Sequence, residues 1–197
     1  KAIVINPNYV EAHYSLGLTF QDLGQLENTV NSYKKVVAIK PDFAGMHNNL
    51  GNVYRELGEL DAALRSYKKA IAIQPDFVEA YYSLGVIYQE QNLLNDAIKS
   101  YEKVISIKPG LAEVHNNLGT IFSELKQLEN AEESFRQSIL LNPNYSGAHY
   151  NLGNTLKDLR KIDEAEESFR KAIVINPNYA EAHNNLGNTL KDLRKID

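Results

Sequence analysis

AGMHNNLGNVYRELGELDAALRSYKKAIAIQPDF, residues 44–77, is the stretch that decides the fold. Met46, Leu50, Val53, Tyr54 and Leu57 fall at three- and four-residue steps and mark one apolar face of a first helix. Leu60, Ala63, Leu64, Tyr67, Ala70, Ile71 and Ile73 mark a second, so the stretch reads as a helical hairpin closed by Pro75. Working outward, prolines stand at 7, 41, 75, 109, 143 and 177, each 34 residues from the next. The whole chain is therefore an internal repeat, and a hairpin this short must stack on its neighbours to bury its apolar faces.

Other positions keep the same period. Gly17, Gly51, Gly85, Gly119, Gly153 and Gly187 each follow a leucine, and three residues later comes Phe20, Tyr54, Tyr88, Phe122, Leu156 or Leu190. Thr29, Ala63, Ala97, Ala131 and Ala165 precede Tyr33, Tyr67, Tyr101, Phe135 and Phe169 by one helical turn. A glycine inside a helix costs about 1 kcal/mol relative to alanine, so close helix packing must offset these six.

This pattern of Leu-Gly, aromatic, small, aromatic and Pro resembles the tetratricopeptide repeat family across essentially the whole chain. His13, His47, Tyr81, His115, His149 and His183 stand where the family carries Trp. The resemblance implies an all-α fold, a right-handed superhelical solenoid of antiparallel helix pairs, similar to the arrays of bacterial scaffold proteins and of O-GlcNAc transferase arms. In this register the chain is a single array, with full repeats at 10–43, 44–77, 78–111, 112–145 and 146–179. Residues 1–9 end a preceding repeat and 180–197 supply the first helix of a further one.

Local signals add detail. Asn8 with Glu11, Asp76 with Glu79 and Asn178 with Glu181 have capping-box spacing at the start of first helices. Second helices are expected to open near Asp61 or Asp163, with Glu132 and Glu166 completing caps in the later copies. Residues 1–9 repeat 171–179 and residues 152–163 recur as 186–197, which suggests a slice of a longer array and end-to-end self-association through the open faces.

Composition excludes much chemistry. The chain has 197 residues, a net charge of -4 and no cysteine. Thiolate catalysis, disulfides and cysteine-based metal sites are thereby ruled out, and a cytoplasmic setting fits. The acidic balance argues against nucleic acid, and no apolar run is long enough for a membrane span. The recurring histidines lie a full repeat apart and read as packing residues, so neither a metal nor any other cofactor is expected. Glu132 with Glu133 and Glu166 with Glu167 read as solvated helix surface. No nucleophile and base pair or phosphate loop is present, and no enzyme activity is expected.

By the same resemblance, function belongs to the concave surface lined by first helices. Groove positions are then Tyr14, Asn48, Tyr82, Asn116, Tyr150 and Asn184, with Asn49, Asn117, Asn151 and Asn185 beside them and Asn52, Asn154 and Asn188 one turn on. Asparagine donates and accepts, so a ladder of them pairs with peptide backbone whatever its side chains. First helices carry ten acids against three bases, a net of -7 in a chain of -4. A non-catalytic scaffold binding a basic extended peptide or a helix is the leading expectation. The alternatives are a substrate-recruiting arm of a larger enzyme such as a glycosyltransferase, and a self-assembling array.

Overall fold

The computed structural model describes residue 6 and residues 8–193; most of the expected tail at 1–9 and the closing residues 194–197 lie outside them. Among the described residues the chain is entirely helical, with no strand. Two compact units divide it, residues 1–107 and 108–197. The first holds α1 (Val10–Asp22), α2 (Leu26–Ile39), α3 (Ala44–Glu56), α4 (Leu60–Ile73), α5 (Val78–Glu90) and α6 (Leu94–Ile107). The second holds α7 (Ala112–Glu124), α8 (Leu128–Leu141), α9 (Ser146–Asp158), α10 (Ile162–Ile175) and α11 (Ala180–Leu193).

Within each unit a helix packs most extensively on its hairpin partner and then on the next pair, which makes an all-α helical-repeat solenoid. In the first unit Tyr33, Val36, Met46, Val53, Tyr67 and Ala70 form one apolar layer; in the second Ala131, Phe135, Leu152, Leu156 and Phe169 do so. The recurring glycine is where each hairpin closes. A Cβ on Gly51 would lie 2.6 Å from Cε1 of Tyr67, and one on Gly153 2.7 Å from Cε1 of Phe169. The aromatic ring of the second helix thus rests directly on first-helix backbone, and this contact offsets the glycine's poor helix propensity.

Helix entry differs from the expected capping boxes. First helices begin after an aromatic or leucine N-cap, as at Tyr9, Phe77 and Leu111, that makes no side-chain cap bond. The asparagine ahead of the proline takes over: Asn6, Asn142 and Asn176 accept the backbone N–H of Asn8, Asn144 and Asn178 on Oδ1 at 3.1, 3.2 and 3.3 Å. Such Asx turns fold the chain two residues before the helix, so the second asparagine is spent on its backbone. Second helices start at Leu60 and Ile162, one residue before the expected aspartates, with Glu59 and Lys161 as N-caps that form no side-chain cap. Glu132 and Glu166 are engaged elsewhere, by Arg136 and Arg170.

The histidines at the Trp position tie this turn down. His47, His149 and His183 donate from Nε2 to the carbonyls of Pro41, Pro143 and Pro177 at 2.9, 3.0 and 2.9 Å. Each therefore fixes the entry to its own first helix across six residues.

Candidate functional site

In the first unit the second-helix tyrosines cross beneath the glycines and bring their hydroxyls to the first-helix face. Tyr33 donates to Oε1 of Gln21 at 2.9 Å, Tyr67 to Oδ1 of Asn52 at 2.7 Å and Tyr101 to Oε1 of Gln89 at 3.3 Å. Tyr14 stacks on Tyr33 at 6.1 Å and Tyr82 tilts against Tyr101 at 5.9 Å. Burial first, and then the field of Tyr14, Asp22 and Glu56, pushes the Tyr33 phenol up to about 12. Arg55 partly neutralises the row by meeting Glu90 at 3.8 Å.

Asn49 is half-buried, whereas Asn48 lies in the packed layer at 7% exposure. Its Oδ1 is buried and has no hydrogen-bond partner.

The second unit answers that gap. Asn116, the counterpart of Asn48, is 9% exposed and accepts from Nδ2 of Asn151 at 3.1 Å. One repeat on, Nδ2 of Asn185 reaches Oδ1 of Asn154 at 2.7 Å and the Tyr150 hydroxyl at 3.3 Å. Asn151, sixth in α9, thus reaches back to the fifth residue of α7, and Asn185, sixth in α11, to the fifth and ninth of α9. In the first unit the sixth residue of α5 is Ser83, which carries a hydroxyl and no amide. Thr120, Thr155 and Thr189 donate to the backbone carbonyls of Asn116, Asn151 and Asn185, which aligns the row. Tyr150 is flanked by Phe169 and Tyr179. Asn117 is half-buried, while Asn184 and Asn188 are exposed on α11.

These bonds orient the amides. With their nitrogens engaged, Asn151 and Asn185 keep Oδ1 as an acceptor, and Asn154, whose oxygen is used, keeps Nδ2 as a donor. The face therefore offers alternating acceptors and donors. Its acids include Glu124 and Asp158, while Asp192 is met by Lys157 at 3.9 Å.

Sequence reading missed the phenol hydroxyls of Tyr33, Tyr67 and Tyr101, although the change to Phe135 and Phe169 along the chain was their visible signal. It also took Glu132 for solvated surface. That carboxylate is 13% exposed and bridges Arg136 at 2.9 Å and Lys161 at 2.7 Å, while Arg136 extends to Glu164 at 2.6 Å. Here α8 is joined to the start of α10, and Glu167 pairs with Lys171 on α10.

Family comparison agrees with this architecture. A "TPR repeat" model matches residues 20–54 and 51–92, and "Tetratricopeptide repeat" models match 78–111, 112–145, 146–179 and 168–197. The chain belongs to the tetratricopeptide repeat family. It is similar to the solved structure of the MamA protein, at 23% identity and a TM-score of 0.78 over 87% of this chain and 94% of that one. It is similar also to YrrB, described as a TPR protein with an unusual peptide-binding site, at 21% identity and 0.76 over 93% and 94%. A third is a tetratricopeptide repeat protein from Parabacteroides merdae, at 21% and 0.82 over 94% and 74%. No curated protein sequence matches the chain. The family is one of protein-interaction scaffolds, generally non-catalytic. No helix among the described residues is long and apolar enough to cross a membrane.

Proposed function

We propose that this protein is a non-catalytic scaffold whose first-helix face binds an extended, basic protein segment. The observation that carries the reading is the interlocked asparagine row of the second unit. Asn151 Oδ1 and Asn185 Oδ1 are acceptors for amide N–H groups of the segment, and Asn154 Nδ2 is a donor for an amide carbonyl. Fixed amides lose little entropy on binding, which favours contacts to the segment's amide groups. The acids at the ends of the first helices add attraction for Lys and Arg in the segment. The description of YrrB supports peptide binding as an activity this fold carries.

The test is a peptide array probed at two ionic strengths, followed by titration of the best basic peptide. Tight binding that weakens with salt is expected, with a loss of at least about tenfold in the folded triple variant Asn151→Ala, Asn154→Ala, Asn185→Ala. Unchanged affinity in that variant removes the row from recognition.

A further inference from the structure

The five glycine and aromatic pairs are not equivalent on the first-helix face. Around Tyr67 the face is filled by Asn52 and Arg55, and around Tyr101 by Val86 and Gln89. Around Phe135 the corresponding residues are Thr120 and Ser123, so the hydroxyl, the amide and the long side chain are all missing at once. A cavity of about 260 Å³ opens there, lined by Phe135, Thr120, Ser123, Asn151 and Asn154. That volume is below the range of drug-sized pockets and suits a single side chain.

Resting on the reading of this face as a binding surface, we propose that the cavity is a subsite for one uncharged carboxamide side chain, glutamine or asparagine, of the bound segment. The row's own bonds aim its chemistry. Asn151 has Nδ2 committed to Asn116 and offers Oδ1; Asn154 has Oδ1 committed to Asn185 and offers Nδ2. A carboxamide donates to the first through its nitrogen and accepts from the second through its oxygen. The Thr120 hydroxyl gives its hydrogen to the Asn116 carbonyl and so presents only lone pairs to the cavity. Glu124 and Lys126, also in the lining, carry opposite charges, which leaves no net attraction for an ionised side chain. An apolar side chain would strip water from these groups and return no hydrogen bond.

The experiment follows the side-chain amide signals of Asn151 and Asn154 by NMR in the intact 15N-labelled chain. The probe is N-acetyl-glutamine methylamide, with the glutamate and norleucine analogues as comparators. Saturable shifts with the glutamine probe below about 50 mM are expected, with binding at least about tenfold weaker for both analogues. Phe135→Tyr inserts the hydroxyl that three other repeats carry at this position, and Thr120→Asn inserts the amide found at Asn52. Each is expected to weaken the glutamine probe at least about tenfold while circular dichroism stays native. Equal shifts from all three probes, no saturation, or binding unaffected in a folded variant overturns the subsite. An extended peptide that is lost in the asparagine triple variant but indifferent to Phe135→Tyr would overturn the subsite and retain the wider groove.

Discussion

Gly153 and Gly187 sit in identical sequence, Leu-Gly-Asn-Thr-Leu-Lys-Asp-Leu, on α9 and α11, yet substitution by alanine should move stability in opposite directions. On α11 a new Cβ meets nothing within 4 Å among the described residues, so Gly187→Ala collects the helix-propensity gain alone, up to about 1 kcal/mol. On α9 the Cβ would lie 2.7, 2.8 and 2.9 Å from three ring atoms of Phe169. That ring is fully buried. Overpacking of this kind costs about 1–3 kcal/mol, and with three contacts below 3.0 Å the upper half applies. After the same propensity gain, Gly153→Ala should lose about 1–2 kcal/mol net, a gap of about 2–3 kcal/mol between two chemically identical substitutions. Thermal and urea unfolding by far-UV circular dichroism reads it, since each kcal/mol shifts Tm by about 2–4 °C in a chain of this size. Shrinking the ring with Phe169→Leu in the Gly153→Ala background should recover part of the loss, a coupling that independent sites would not show. Two shifts of the same sign and similar size would refute the argument that ring contact, rather than helix propensity, selects glycine.

Asn48→Leu removes a buried oxygen without a partner and should stabilise by about 1 kcal/mol, whereas Asn116→Leu breaks the bond from Asn151 and should destabilise by a similar amount; urea midpoints compare the two. Burial alone would raise the Glu132 carboxyl, but hydrogen bonds from Lys161 and Arg136 hold it below its ordinary 4.5. Its contribution is therefore complete above pH 4.5 and fades as pH falls through the lower folded value, so Glu132→Gln should cost about 1 kcal/mol at neutral pH and progressively less in acid. Arg160 closes α9 at φ 63, where Gly24 and Gly58 serve α1 and α3, so Arg160→Gly should gain a few tenths to about 1 kcal/mol in the same unfolding assay.

Much of this molecule was legible from spacing. The 34-residue period gave the hairpins, the glycines and the aromatic rows, because every repeat solves the same packing problem with the same residue types. Helix entry was misread because Asn-Pro-Asn carries two candidate caps, and the one ahead of the proline forms the turn. Glu132 was misread because its partner Lys161 stands 29 residues away, beyond any pattern within one helix.

The asparagine row shows how far such patterns reach. Its residue types were visible, but its chemistry depends on links of 35 and 31 residues between successive first helices, which join the sixth position to the fifth and ninth. Asn151 and Asn185, at the sixth position, each lock on an oxygen of the preceding first helix and turn a fixed atom outward. In the first unit the sixth residue of α5 is Ser83 and Asn48 Oδ1 has no hydrogen-bond partner, so the two units present different surfaces. The first is rich in phenol hydroxyls that already hold amide partners, and the second in amides with one atom to spare. On the proposed reading recognition rests on the second unit, and Ser83→Asn should offer Asn48 Oδ1 the donor that Asn151 gives Asn116, while Tyr67 keeps the oxygen of Asn52.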